Sequence, residues 1–227
     1  MAATAALTVR RNFPRPDARL IAQFQNQPSG WVVDANGRRG SLDHHIGPLT
    51  SAKRFCGVAL TVHSRARDNL TPYAAIGFAQ PGDVLIVSAD AYEEASVAGD
   101  VLLGMAKNKG IVALVTDGVV RDIDGLNAVG IPVFARGLSP NSPYKDGPGE
   151  IGFPISIGNV VVESGDLVLG DQDGVVVVAR ANLEAVLAEL ANVKGKEAKM
   201  DDLVRAGATA PAWMEATLRE KGVLLVD

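Results

Sequence analysis

A chain of 227 residues is long enough to bury a sizeable core and suits one domain with terminal additions. With 47% hydrophobic and 21% charged residues it reads as globular, and a net charge of -4 without a long Lys/Arg run argues against a direct nucleic-acid partner. The single Cys56 excludes an internal disulfide framework and a thiolate zinc site, and its apolar neighbours suit a buried structural thiol.

Residues 1–30 read as an N-terminal arm in which Asp17 caps a helix carrying Leu20, Ile21 and Phe24, ended by Pro28 and Gly30. Residues 31–34 suit a short strand, followed by a turn-rich loop to His45. Neighbouring residues on regular structure point in different directions, so His44 and His45 suit a solvated loop pair better than one metal site. Residues 57–63 read as a strand, 72–78 as a helix and 83–88 as a strand buried on both faces. A connection over 89–100 leads to a helix over 101–109, closed by Gly110.

The stretch from Val112 to Leu126 organises the rest. Its apolar run is a second buried strand, broken at the turn dipeptide Asp117-Gly118, after which Arg121 and Asp122 stand at a helix start. Arg grips a planar carboxylate with paired hydrogen bonds, and Asp holds a hard divalent cation through oxygen. Together they suit a 2-oxo acid bound by its carboxylate, with a metal against its carbonyl. An exposed ion pair at a helix start is the alternative these residues leave open. The order strand, Gly99-Asp100 turn, helix, strand, Arg-Asp, helix is a βαβα unit with a parallel sheet. Both acids follow predicted strands, at the end where ligands gather in open α/β sheets. The start of the helix at Gly99, Asp100, Val101 and Leu102 offers free backbone N–H groups to an anion.

Residues 131–137 form the next strand, and 138–152 a long polar loop of the kind found at functional sites or subunit contacts. Short segments at 160–163, 167–169 and 175–178, separated by tight turns, suggest an antiparallel β layer packed on the α/β unit. Asn182 starts a long helix with Gly195 as a weak point. A last helix runs from Thr209-Pro211 toward Gly222, and 223–226 suit an edge strand. Residues 181–227 thus read as a helical extension of a single domain spanning 1–227. No apolar run approaches the roughly 18 residues of a membrane span, and Met1 to Leu7 lacks a secretory pattern, so a cytoplasmic protein without membrane contact is expected.

The runs Gly-Asp-Val-Leu (99–102), Val-Thr-Asp-Gly-Val-Val-Arg-Asp (115–122), Gly-Ile-Pro-Val-Phe-Ala-Arg-Gly (130–137) and Gly-Asp-Leu-Val-Leu-Gly-Asp-Gln-Asp-Gly-Val-Val-Val-Val (165–178) together resemble the class II pyruvate aldolases. These are the 4-hydroxy-4-methyl-2-oxoglutarate / 4-carboxy-4-hydroxy-2-oxoadipate aldolases, and their superfamily includes the regulator of ribonuclease E activity A. The resemblance implies a swivelling β/β/α-type sandwich in a trimer or hexamer, with Mg2+ or Mn2+ in a cleft between subunits. By position it makes Asp122 the direct metal ligand, Arg121 the group on the pyruvyl carboxylate and the 99–102 backbone that carboxylate's cradle. It places Asp100 on metal-bound water, and Glu197 of a neighbouring subunit likewise, with Glu184 and Glu189 on the same helix as alternatives. The family commonly carries an acid where this chain has Gly125.

Retro-aldol cleavage of a 4-hydroxy-2-oxo acid leaves a pyruvate enolate whose charge a chelated cation can stabilise, and oxaloacetate decarboxylation passes through the same enolate. A Schiff-base route needs a buried lysine, whereas Lys53, Lys107, Lys109 and Lys145 read as surface or loop. The competing expectation is a non-catalytic regulator that binds an RNA-degrading enzyme. A phosphohistidine carrier finds no support, because His44, His45 and His63 do not sit on a Gly-rich helix start.

Overall fold

The computed structural model describes residues 6–224 and 226. The elements run β1 (Leu7–Val9), α1 (Ala18–Ala22), α2 (Ser29–Ala35), β2 (Gly47–Pro48), β3 (Phe55–Ser64), α3 (Leu70–Phe78), β4 (Asp83–Ser88), β5 (Ser96–Ala98) and α4 (Asp100–Lys109). They continue with β6 (Ala113–Thr116), β7 (Val119–Val120), α5 (Ile123–Val129), β8 (Val133–Ala135), β9 (Gly137–Leu138), β10 (Gly149–Ile151), β11 (Ile155–Ile157) and β12 (Val160–Val162). The last are β13 (Leu167–Asp171), β14 (Gly174–Val178), α6 (Leu183–Arg205) and α7 (Met214–Lys221).

The main sheet is parallel through β3, β4, β6 and β8, in that spatial order. Successive side chains of a strand point to opposite faces, which sorts the apolar runs into two cores. Leu85, Val87 and Leu114 face α3 and α4, among Ala75, Leu102, Leu103 and Ala106. Val84, Ile86, Ala113 and Val115 face the β11–β12 hairpin through Ile155, Ile157 and Val162. The result is hairpin on sheet on helices, the β/β/α layering expected from the sequence. The antiparallel strands are joined differently from the expectation of a separate layer. β13 pairs antiparallel with the first half of β3 and carries β14 at its other edge, while β10 takes the second half of β3. Only the β11–β12 hairpin forms a layer of its own.

Other expectations are corrected. Residues 31–34 lie inside α2, and Pro28 and Gly30 start that helix instead of ending the previous one. Its first-turn donors are capped from far along the chain: Ser29 gives its N–H and hydroxyl to Asp171, at 2.9 and 2.7 Å. Gly195 does not interrupt α6, which continues to Arg205. Val223, Leu224 and Val226 form no strand, and position 225 lies outside the described residues. The loop 138–152 contains β10, and the connection 89–100 contains β5.

A small parallel sheet, β5–β7–β9, stands beyond the carboxyl ends of the main strands. It positions the candidate site, because Gly99 follows β5 and Arg121 follows β7.

Candidate active site

Residues Gly99, Asp100, Val101, Leu102, Arg121 and Asp122, separated in sequence, line one small cleft of about 70 Å3. The two helix starts that frame it interlock through glycines. A Cβ on Gly99 would overlap Oδ2 of Asp122 and press on Arg121, and a Cβ on Gly125 would overlap the Asp100 carboxylate. At position 125, where the family pattern would put an acid, the Asp100 side chain fills the space a Cβ would need.

Asp122 caps α5 with a left-handed backbone, φ 60° and ψ 48°. Asp tolerates that region better than most residues, and such positions cluster at functional sites. The turn brings Asp122 Oδ2 within 3.2 Å of Arg121 Nε, with both side chains still well exposed to solvent (42% and 37%). Arg121 Nη1 also donates to Ser142 Oγ at 2.6 Å, and its backbone N–H to Ala98 O at 3.0 Å. Two of the guanidinium nitrogens, Nε and Nη1, are thus engaged by protein while the group still lines the cleft. The exposed ion pair considered for Arg121 and Asp122 does form, and it forms inside the pocket.

The 99–102 cradle is partly engaged. Val101 N–H donates to Asp100 Oδ1 at 2.7 Å, so an incoming carboxylate would meet the α4 start with Asp100 already bound there. Glu197 does not line this cleft in the same subunit. The helix that carries it, α6, packs Leu183, Val186 and Leu190 on a third core with α2, β13 and β14. Asp117 closes the strand end behind the site. Burial pushes its carboxyl up, against hydrogen bonds from the Ala89 and Ala91 N–H groups and from Ser88, and those bonds fix the loop after β4.

Sequence reasoning missed Asn69, Tyr73, Ser96, Ser142, Pro143 and Lys145, all in the wall of the cleft. The polar loop 138–152 signalled function but not which of its residues point inward. Lys145, set aside as loop, is in that loop and exposed, so it lacks the apolar surroundings that activate a Schiff-base lysine. The histidine pair is exposed in a turn, as expected of a solvated loop pair, although its rings do not point apart. The His44 and His45 rings lie 4.0 Å apart beside Asp43, whose carboxyl is held down to about 2 by the His45 N–H and ring and by the Arg136 charge. This cluster is outside the cleft.

A divalent cation fits the donor set of the cleft. Asp122 and Asp100 supply hard carboxylate oxygens, the Asp122 side chain is open to solvent, and the bare Gly99 keeps the space beside its Oδ2 clear. Among the described residues no helix is long and apolar enough to cross a membrane.

Comparison with known proteins shows the family. A protein of Halalkalibacterium halodurans named "Putative 4-hydroxy-4-methyl-2-oxoglutarate aldolase" is 38% identical over 186 residues, 82% of this chain and 86% of the relative. The RNA-processing inhibitor RraA from Thermus thermophilis superposes with a TM-score of 0.63 at 25% identity, covering 67% of this chain and 93% of that one. Streptomyces coelicolor RraAS2, described as an unusual member of the RNase ES inhibitor RraA protein family, superposes at 0.71 and 25% identity, covering 86% and 99%. With the RraA-like (Aldolase/RraA) sequence profile matching residues 26–177, the chain belongs to that family.

Proposed function

We propose that this protein cleaves a 4-hydroxy-2-oxo acid of the 4-hydroxy-4-methyl-2-oxoglutarate type to pyruvate by a divalent-metal-dependent retro-aldol reaction, and that it also decarboxylates oxaloacetate. The observation that carries the reading is the convergence of Arg121, Asp122 and Asp100 on one cleft at the start of α4. Arg121, steadied by Ser142, binds the 2-oxo acid carboxylate together with the helix start. Asp122, with Asp100 behind it, would hold Mg2+ or Mn2+, which supplies a Lewis acid for the charge that develops on the 2-oxo oxygen. Asp100 takes the 4-hydroxyl proton through water. The C3–C4 bond breaks, its electron pair passes into the pyruvate enolate, C4 becomes the carbonyl of the second product, and C3 is then protonated.

The aldolase name of the 38% identical relative supports the enzyme. The inhibitor names of two structural neighbours favour the second reading, a regulator of an RNA-degrading enzyme on the same fold. The two separate on one assay. Purified protein with Mg2+ or Mn2+ should release pyruvate from 4-hydroxy-4-methyl-2-oxoglutarate, and EDTA should stop it. An intact fold with no metal-dependent turnover of that substrate or of oxaloacetate would end the enzyme reading.

The working form is a homo-oligomer, a trimer or hexamer, in which Glu197 of a neighbouring copy completes the site. Support comes from the far half of α6 and from α7. Past Val193 the long helix buries nothing, and Leu203, Val204, Trp213 and Leu218 are exposed. A surface of that kind suits repeated contact under cyclic symmetry. Mixed oligomers of Asp122→Asn and Glu197→Gln chains should regain activity; a monomer in sedimentation would refute the shared site.

A further inference from the structure

Among the described residues, one group brings three metal-ligating side chains together. Asp43, His44 and His45 each offer one ligand atom within 4.8 Å of the others, and none of them lines the cleft. Adjacent side chains diverge on regular structure, but these two imidazoles sit in a turn, side by side, with their planes inclined by 38°. Both present Nδ1 to the same oxygen: Asp43 Oδ1 is 2.8 Å from His45 Nδ1 and 3.5 Å from His44 Nδ1. Donor atoms that share a tetrahedral cation at bond lengths of about 2.0–2.2 Å stand about 3.3 Å apart. The tightest pair therefore has to open by only about 0.5 Å to admit such an ion.

The fold holds the carboxylate in place from behind. Asp43 N–H donates to Gly158 O at 3.0 Å, in the turn of the β11–β12 hairpin, and Asp43 O accepts from Ile46 N–H at 2.9 Å. Gly158 packs so closely there that a Cβ on it would stand 2.9 Å from Asp43 N. Arg136 Nη2 donates to Asp43 Oδ2 at 3.0 Å, which leaves Oδ1 on the side of the imidazoles. Ligating carboxylates are commonly oriented by such an outer partner. The Arg136 charge is shared with Glu93, whose Oε1 lies 3.6 Å from Nη1. The histidine side chains are 86% and 60% exposed, so water can fill the remaining coordination positions.

We propose that Asp43, His44 and His45 form a second metal site, which takes one divalent transition-metal ion of the zinc class through Nδ1 of both imidazoles and Oδ1 of the carboxylate. Donor chemistry separates it from the cleft. Imidazole nitrogen suits Zn2+, Cu2+ and Ni2+, whereas the carboxylates of Asp100 and Asp122 suit Mg2+ and Mn2+. A neutral imidazole carries one proton, which resides on Nε2 once the metal takes Nδ1. A bound ion would tie the turn to the Asp43–Arg136 pair just before β9, the edge of the small sheet whose middle strand leads to Arg121. The site stands or falls independently of the aldolase reading.

The test uses the full chain without a histidine tag, in an Asp122→Asn background that removes the direct ligand of the cleft. Zn2+ is titrated by calorimetry, and Co2+, which takes zinc sites, by its visible absorption. One ion per chain should bind, and millimolar Mg2+ should not compete with it. His44→Gln, His45→Gln and Asp43→Asn should each weaken Zn2+ by at least about 10-fold, the loss that even an outer-shell change causes. His63→Gln, which removes the only other histidine of the chain, should leave binding unchanged. Both ligand histidines are exposed, so their variants should melt as the parent does. No Zn2+ binding in the Asp122→Asn chain would overturn the site. So would binding that survives both histidine substitutions, that His63→Gln removes, or that Mg2+ displaces.

Discussion

Replacing Gly125 by alanine separates stability from function at the candidate site. Gly125 is inside α5 and does not have positive φ, so by helix propensity alone alanine would stabilise by about 0.8–1 kcal/mol. The added Cβ, however, would overlap Oδ2, Cγ and Cβ of Asp100. Rotation of the Asp100 side chain relieves the Oδ2 and Cγ overlaps and gives up its 2.7 Å bond from Val101 N–H, but its Cβ moves only with the backbone, so the starts of α4 and α5 must also part. A hydrogen bond to a charged group contributes about 1.5–3 kcal/mol, though at an exposed helix start solvent screening brings it to the low end. The lost bond and the backbone shift together outweigh the propensity gain. The midpoint of thermal unfolding should thus fall by several degrees, on the scale of about 1–3 kcal/mol. Turnover should respond far more, because displacement of an acid-base group by about 1 Å costs on the order of 100-fold. Pyruvate release coupled to lactate dehydrogenase, measured beside the melting curve, gives both readouts. Full activity in a well-folded Gly125→Ala protein would show that the position of Asp100 does not matter to the reaction.

Asp122→Asn should keep the fold, since Asn also tolerates the left-handed region, while Mn2+ affinity and turnover fall by about 100-fold or more; calorimetric titration with Mn2+ checks it. Arg121→Lys should act mainly on KM by losing the paired grip on a carboxylate, and an unchanged KM would count against that role. Arg15→Met should destabilise by about 3 kcal/mol in denaturant unfolding, because Asp83, fully buried, pairs with both ends of that guanidinium. Burial pushes the Cys56 thiol up to about 12, so the native protein should resist iodoacetamide at pH 8 and react only on unfolding.

Much of this fold can be read locally. β4 is the apolar run 84–87 with Asp83 and Ser88 at its ends, and α4 ends at Gly110, whose φ of 92° is one that glycine adopts without cost. Arg121 and Asp122 stand out because a buried strand, a turn dipeptide and a helix start leave them no other place than a strand end. What escaped reading depends on distant partners. Trp31-Val32-Val33 has strand-like composition, yet Asp171 supplies the cap that makes it helical. Gly195 costs α6 about 1 kcal/mol, too little to end a helix anchored by Leu183, Val186 and Leu190. Lys145 and Asn69 enter the cleft through a bridge between Asp68 and Tyr144, a pairing that neither local sequence announces.

The carboxylate of Asp68 also bears on how a substrate arrives. Together with the bonds from Ser96 N–H and Oγ to Asn141 O, it fastens the outer wall of the cleft to the body of the protein at both ends. Fixing one residue's backbone costs roughly 1–2 kcal/mol of conformational entropy, and here folding has already met that cost. An incoming acid then finds this wall of the cleft already in place. Binding followed by stopped flow should show a single phase whose rate rises linearly with ligand concentration, free of the plateau that a slow closing step would impose.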